Sequence, residues 1–535
     1  MSANSSKYDA VIVGAGFAGM YMLIRLRELG MTARVFEAGE DVGGTWYWNR
    51  YPGARCDIES MQYSYSFSDE LQQEWQWSER YAAQPEILEY ARHVVDRFNL
   101  RPDISFNCQV KSAKFSESQG NWRIEVKTSN TEIQTVEATF CIMATGCLSS
   151  PNIPKFDGLD EFKGAVYHTG YWPHHDVDFT DQNVAVIGTG SSGIQSIPVI
   201  AKQARHLTVF QRTPNYIVPA HNRPLPRDEQ DKIKQNYSAL REQALKTRNG
   251  IAYEVQEHSA MELSEEEREH HYQKCWQAGG LPFAGAFPDL LLNADSNATA
   301  AEFVSRRIKN IVKNTKTADL LTPNYTFACK RLCVDTDYYP TFNRENVTLV
   351  DVSDGGIERI TESGPVANGK TYAVDAIVLA TGFDAMTGAL NKIDIKGREQ
   401  VALKEKWQAG PVTYLGLMVS GFPNLFTITG PGSPSVLSNV LGSIEFHVDW
   451  ISQCLQFLRN NKCNFIEATQ KAEQDWVDEV NQVVDKTLYR TCRSWYLGHN
   501  IPGKPSVFMP YPGAPSYRER CEEIVANGYE GFTIS

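Results

Sequence analysis

Short apolar runs alternate with amphipathic stretches along most of the chain, the pattern of an α/β protein rather than of a helical bundle or a β-sandwich. Residues 8–13 are apolar and rich in β-branched side chains, and the turn Gly14-Ala15-Gly16-Phe17-Ala18-Gly19 follows at once. Residues 20–29 place apolar positions at helical spacing, and residues 32–36 predict a second strand that ends in Glu37. The pattern then repeats. A strand at 183–187 leads into Gly188-Thr189-Gly190-Ser191-Ser192-Gly193, a helix over about 194–203 that carries Gln195, and a strand at 206–210. Ala-Thr-Gly strand ends at 144–146 and 380–382 each close a β-rich stretch. The segment from about 226 to 327 differs. Residues 227–249 and 262–276 are highly charged with helical periodicity, Ser264 and Glu267 form a capping box, and residues 300–314 carry an apolar stripe. It predicts a helical insertion.

The two glycine turns have a shared chemistry. The first glycine permits the tight turn, the second lets backbone approach a pyrophosphate, and the third lets helix pack on strand. The helix N-terminus then offers free N–H groups and positive dipole to the phosphates. The same spacing separates Gly14 from Glu37 and Gly188 from Gln211. A carboxylate at that position accepts from a ribose 2′-OH, so the first unit suits FAD or NAD. In the second unit Gln211 is followed by Arg212 and Thr213, and a guanidinium grips a 2′-phosphate, so this unit suits NADP.

Composition narrows the class. The 535 residues are 42% hydrophobic and 22% charged, which is globular and excludes a largely disordered chain. The net charge of −12 disfavours non-specific binding to nucleic acid or anionic membrane. The 11 cysteines are an odd, scattered count without a CxxC pair. Cys329 and Cys333 lack the partners of a zinc site, and His174-His175 reads as exposed loop, so no metal is expected. Reduced thiols in a cytoplasmic protein are expected. The most apolar candidate for a membrane span, residues 414–430, contains Gly416, Gly421, Pro423 and Asn424 and reads as strand and turn.

Four further motifs carry a family resemblance. Phe162-Lys-Gly164-Ala-Val-Tyr-His168-Thr169-Gly-Tyr-Trp172-Pro173 precedes the second glycine turn, and Gly43-Gly44-Thr45-Trp46-Tyr47-Trp48-Asn49-Arg50-Tyr51-Pro52-Gly53-Ala54-Arg55-Cys56-Asp57 follows the first unit. Gly430-Pro-Gly-Ser-Pro-Ser435 and Trp495-Tyr-Leu-Gly498-His-Asn500-Ile-Pro502-Gly503-Lys504-Pro505 lie near the C-terminus. In this order, from Tyr8 to about Tyr511, the chain resembles the Baeyer–Villiger monooxygenases, most closely the phenylacetone and steroid monooxygenase branch. The two glycine units, the strand ends at 146 and 382 and the charged helical segment predict an α/β fold of two nested Rossmann-like dinucleotide-binding domains with a helical insertion. The FAD-binding domain would comprise 1–150 and 385–535, the NADP-binding domain 151–225 and 328–384, and the insertion 226–327.

The implied activity is oxidation of a ketone to an ester or lactone with NADPH and O2, through a C4a-peroxyflavin. No protein partner is indicated. Anionic species on that path need a fixed cation. Arg331 matches the family's catalytic arginine and Asp57 the carboxylate that orients it. Lys330, with Arg212 and Thr213, matches the contacts to the 2′-phosphate, and Trp495 matches an indole that donates to bound NADP. Gly44, Thr45, Trp46, Asp57, Tyr63 and Val110 match FAD contacts, with Trp48 also placed at the flavin. Ile58, Ser435, Val436 and Leu437 flank these motifs as pocket lining. His168 is expected to couple domain movement to NADP binding, with a hydrogen-bonded structural histidine as the competing role. His499 departs from the small residue expected there. The competing activities are N- or S-oxygenation by a related flavin monooxygenase, disulfide reduction, which lacks its CxxC, and a redox sensor without turnover.

Overall fold

The computed structural model describes residues 6–535. Two sheets organise it. The first has eight strands, ordered Asp394–Lys396, Gln109–Ser116, Asn121–Lys127, Ile133–Met143, Ser6–Val13, Ala33–Phe36 and Ile104–Ser105, with Leu425–Thr427 also paired to Ile133–Met143. Ser6–Val13 lies parallel to both of its neighbours and is fully buried over Ala10–Ile12. Two strands of this sheet come from beyond residue 390, so the C-terminal part of the chain returns to complete the N-terminal sheet. The second sheet is all-parallel, ordered Val347–Asp351, His206–Gln211, Asn183–Ile187, Ala376–Leu379 and Ala165–His168. Its central strands read as unbroken apolar runs because both faces are covered.

Each glycine turn leads directly into a helix, Phe17–Glu28 in the first unit and Ser191–Gln203 in the second. Both helices begin earlier than the apolar periodicity suggests, since the glycine turn itself supplies the first helical residues. Gly19 and Gly193 permit close helix–strand packing: a Cβ there would lie 1.9 Å from the Gly14 carbonyl oxygen and 2.3 Å from that of Gly188. The helix Val440–Asn460 packs across Phe17–Glu28, with Tyr21 donating to Asp449 at 2.7 Å. The insertion contains Arg227–Gln235, Tyr237–Lys246, Glu265–Ala278, Ala294–Ile311 and Thr315–Leu321. The Ser264–Glu267 capping box forms with both reciprocal hydrogen bonds. No helix among the described residues is long and apolar enough to cross a membrane, and residues 414–430 supply only the strand Leu425–Thr427.

One expectation is overturned. Cys329 and Cys492, 163 positions apart, form a disulfide, so the cysteines are not all reduced thiols. The other nine are free. An odd count hides a single pair, and only the fold brings these two segments together.

Candidate active site

A cleft of about 890 Å³ runs along the C-terminal ends of the first sheet towards the second. Gly14, Gly16, Phe17 and Glu37 line it, with Gly44, Thr45, Trp46, Trp48, Asp57, Tyr63 and Val110. Gly14 has φ +103°, and a Cβ there would meet the Ala144 carbonyl oxygen at 2.7 Å, so the turn admits only glycine. Gly16 and Gly44 face each other so closely that a Cβ on Gly44 would stand 2.9 Å from the Gly16 Cα. This bare stretch of backbone beside a helix N-terminus fits a pyrophosphate. The Glu37 carboxylate accepts from the N–H of Ala15 and of Gly39, at 2.7 Å each. Burial raises its pKa, and those backbone donors oppose the rise. Trp46 Nε1 donates to the Tyr63 hydroxyl at 3.1 Å, fixing both rings on the cleft wall.

Arg331 leaves an irregular stretch just before the short strand Cys333–Val334 and reaches the same cleft. Its Nε and Nη2 each donate to one oxygen of Asp57 at 2.9 Å, and its Nη1 donates to the Val436 carbonyl at 3.0 Å. The fork is thus fixed in plane on two sides. Burial opposes the charge of the guanidinium, but Asp57 outweighs it and holds the arginine pKa above its ordinary value. The side chains of Arg331 and Asp57 keep 21% and 26% of their surface, enough to face a ligand in the cleft. This arrangement can hold a permanent positive charge beside a reacting centre without reorganising.

At the second glycine turn a Cβ on Gly190 would meet nothing within 4 Å, so open space lies where a phosphate would approach. Gly188, at φ +111°, is hemmed by the Ala380 carbonyl. The Thr189 hydroxyl donates to the Thr213 carbonyl at 3.0 Å, and Ser192 meets the Thr169 hydroxyl at 3.1 Å. Ser191 and Gln195 line the large cleft. The Gln195 side chain crosses to the first unit: its Nε2 donates to the Arg55 carbonyl at 3.0 Å, and its Oε1 accepts from Tyr51 at 2.9 Å. Gln211 is buried and donates to the Leu320 carbonyl at 2.8 Å. Arg212 is exposed, and neither it nor Lys330 has a carboxylate partner among the described residues. Lys330 lies 4.0 Å from the centre of the Tyr325 ring. Burial, then the charge of Arg212, lowers the Lys330 pKa to about 8. Two cations held together without an acid fit a dianionic phosphate.

Trp495, Ile58 and Val436 line the large cleft. Ser435 instead points its hydroxyl at the Met386 sulfur at 3.6 Å and lines neither cavity. Leu437 faces a second cavity of about 250 Å³ on the other side of Arg331, whose walls include Ile251, Phe287, Tyr489 and Tyr496. The pattern of the chain gave no sign of Val436 as an acceptor or of Tyr496 beside Arg331. Both act through backbone position or packing rather than through a motif. His168 is buried, with Nδ1 accepting from Gly170 and Nε2 within 3.2 Å of both the Asn152 carbonyl and the Thr381 hydroxyl. Burial lowers its pKa. It pins the linker to the end of the second sheet, the geometry of a hydrogen-bonded structural histidine. His174 and His175 are exposed, and no metal-ligating cluster occurs among the described residues. His499 meets the Ser506 hydroxyl at 2.7 Å, within its own segment.

Comparisons with known proteins follow the same lines. Residues 11–273 match the family of pyridine nucleotide-disulphide oxidoreductases. The chain is 40% identical to a Baeyer-Villiger monooxygenase of Pseudooceanicola batsensis, over 98% of this chain and 95% of that one. It is 38% identical to the phenazine N-monooxygenase PhzNO1 of Lysobacter antibioticus, over 99% and 98%. Among solved structures, an oxidized steroid monooxygenase bound to NADP superposes with a TM-score of 0.93 at 49% identity, covering 99% of each chain. OTEMO in complex with FAD and NADP superposes at 0.95 with 38% identity, covering 99% and 100%. The match extends over nearly the whole length, and the chain belongs to the Baeyer–Villiger monooxygenase family.

Proposed function

We propose that the protein is an FAD-containing, NADPH-dependent monooxygenase that converts ketones to esters or lactones with O2. The observation that carries this reading is the two-point clamp of Asp57 on a half-buried, cleft-facing Arg331. Residues 1–150 and 385–535 are assigned to the FAD domain, 151–225 and 328–384 to the NADP domain, and 226–327 to the insertion. The bare turn at Gly14, Gly16 and Gly44 holds the FAD pyrophosphate, and Glu37 is placed to accept from a ribose hydroxyl. Gly188, Gly190 and the N-terminus of Ser191–Gln203 hold the NADP pyrophosphate, and Arg212, Thr213 and Lys330 hold its 2′-phosphate. When bound, the reduced flavin supplies the electrons that activate O2, and NADPH supplies the hydride.

The chain's own residues do the rest. Arg331 faces the space between the flavin wall and the second cavity, where a ketone carbonyl would sit. It stabilises negative charge on oxygen as that charge develops, and it stays protonated at any working pH. Asp57 keeps the guanidinium in plane and does not itself transfer a proton. The Val436 carbonyl holds the third side of the fork. Ile58, Val436 and Leu437 form the apolar wall that excludes water, and Trp495 closes the coenzyme side. Consumption of NADPH, a cytoplasmic reductant, supports a cytoplasmic location.

The test is a panel of cyclic and aryl ketones with NADPH under isotopically labelled O2. One labelled oxygen atom in an ester or lactone supports the reading. Peroxide alone across the panel would point to a sensor. The N-oxygenating relative makes oxidation of nitrogen heterocycles the second reading, which would hold if amines were oxidised and no ketone were.

A further inference from the structure

Trp495 sits on a segment with little regular structure. Between Thr487 and Pro512 only the single turns Leu488–Thr491 and Trp495–Leu497 form. Most backbone hydrogen bonds here are local, such as Leu497 and His499 to Ser494, Ile501 to Gly498 and Lys504 to Ile501. Beyond Trp495 side chains tie the segment to the Phe383–Asp384 stretch, and backbone bonds join Met509 and Tyr511 to Gly432 and Ser433. Asn500 donates to the Phe383 carbonyl at 2.7 Å, and Lys504 pairs with Asp384 at 2.6 Å. Before Trp495 the ties run elsewhere. The Thr491 hydroxyl meets that of Thr326 at 2.7 Å, and Cys492 is bonded to Cys329. Cys329 is two residues from Arg331, and Cys492 three from Trp495. The bond therefore joins the loop that presents the guanidinium to the segment that closes the coenzyme side of the cleft.

Resting on the monooxygenase reading above, we propose that the Cys329–Cys492 disulfide positions the Trp495 segment against the Arg331 loop, and that its reduction frees the segment and diverts turnover from oxygenated product to peroxide. A crosslink restricts a segment that has almost no regular structure and whose backbone hydrogen bonds are mostly local, so that it is held chiefly by its packed rings. Reduced, the near side of Trp495 would lose its covalent tie and keep the Thr491–Thr326 hydroxyl contact, the Leu488 N–H bond to the Leu291 carbonyl at 2.8 Å and the packing of the Tyr489 and Tyr496 rings. Both sulfurs are buried, Cys329 at 0% and Cys492 at 8% exposure, so a reductant reaches them only when the segment opens. The chemistry balances. A dithiol reduces the S–S bond to two thiols and is itself oxidised to a disulfide. In reverse, one Cys thiolate attacks hydrogen peroxide, the O–O bond breaks, and water leaves as a sulfenic acid forms. The second thiol then displaces that oxygen as a second water and closes the S–S bond. Hydrogen peroxide, the product of uncoupled NADPH oxidation, is thus the oxidant that would restore the bond.

The experiment uses the flavin-loaded full chain. Non-reducing peptide mapping should find the peptides of Cys329 and Cys492 as one linked species, separated by dithiothreitol. The NADP+ dissociation constant, measured by flavin absorbance, should rise about fivefold on reduction, the low end of coupling between linked sites. The product formed per NADPH should fall while flavin reduction keeps its rate. Cys492→Ser should behave as the reduced protein, and peroxide should restore the treated wild type but not the variant. Absence of the linked peptide, or unchanged NADP+ affinity and coupling after its verified reduction, would overturn the proposal. The mapping and the affinity are readable even if no ketone is turned over, which would count against the activity alone.

Discussion

Asp57 and Arg331 stand 274 positions apart and meet through two hydrogen bonds of 2.9 Å, one to each carboxylate oxygen. Asp57 comes from the turn that follows the first glycine unit, and Arg331 from the stretch just after the helical insertion. The site is therefore assembled only when the nested second unit has docked on the first, and the pair reports that docking.

Lys330 gives a pH dependence to coenzyme affinity. Its pKa is lowered to about 8 by burial and then by Arg212. Below that pH it would be a cation facing the proposed 2′-phosphate, and above it the attraction would fade. The NADP+ dissociation constant should be flat below pH 8 and rise above it, approaching about tenfold per unit. Lys330→Arg, which stays charged, should flatten the rise. A wild-type profile flat through pH 8 would remove Lys330 from the phosphate contact.

Arg212 should separate the two coenzymes. A charge-assisted hydrogen bond contributes about 1.5–3 kcal/mol, so Arg212→Ala should raise the KM for NADPH by about ten- to a hundredfold and leave NADH use nearly unchanged. Equal losses with both coenzymes would contradict a 2′-phosphate role.

Gly53 packs closely on the second unit. Its φ is +82°, and a Cβ would stand 2.3 Å from the Gln195 carbonyl oxygen. Gly53→Ala should cost about 1–3 kcal/mol in backbone strain alone and push the helix Ser191–Gln203 away. A weakened NADP+ affinity with a normal flavin content is the expected result. Unchanged affinity would show that this contact does not set the docking.

His447 should make the fold acid-sensitive. It accepts from the Thr429 N–H at 2.9 Å and meets the Tyr517 hydroxyl at 2.9 Å. Burial, then the charge of Arg518, lowers its pKa from 6.5 to about 3. As pH falls below 6.5 the unfolded chain takes up the proton first, so stability is full above 6.5 and is lost towards 3, by up to about 1.4 kcal/mol per unit. Urea unfolding of His447→Gln should show a shallower loss over the same interval. Identical slopes would contradict a neutral, buried His447.

Both strand–turn–helix–strand units were legible because steric need writes itself locally. Gly14 and Gly188 turn at positive φ, Gly19 and Gly193 pack on the carbonyls of Gly14 and Gly188, and the Ser264–Glu267 box is complete within one turn. The Asp57–Arg331 pair was legible only through family resemblance, since nothing near either residue signals the other. What stayed hidden depends on contacts across the fold. Scattered cysteines do not announce that Cys329 meets Cys492, and the Val436 carbonyl carries no side-chain mark of its role. The Ser435 hydroxyl turned to the Met386 sulfur for the same reason: flanking a motif places a backbone, not the direction of a side chain.

The central claim is that Arg331, fixed by Asp57, is needed for oxygen insertion and not for flavin reduction. Arg331→Ala, loaded with FAD, should be compared with wild type by following anaerobic flavin reduction by NADPH and then ester formation in air. The account predicts an unchanged reduction rate with ester formation down by a hundredfold to a thousandfold or more, roughly the effect of deleting one preorganised donor. Ester formed at the wild-type rate would contradict it.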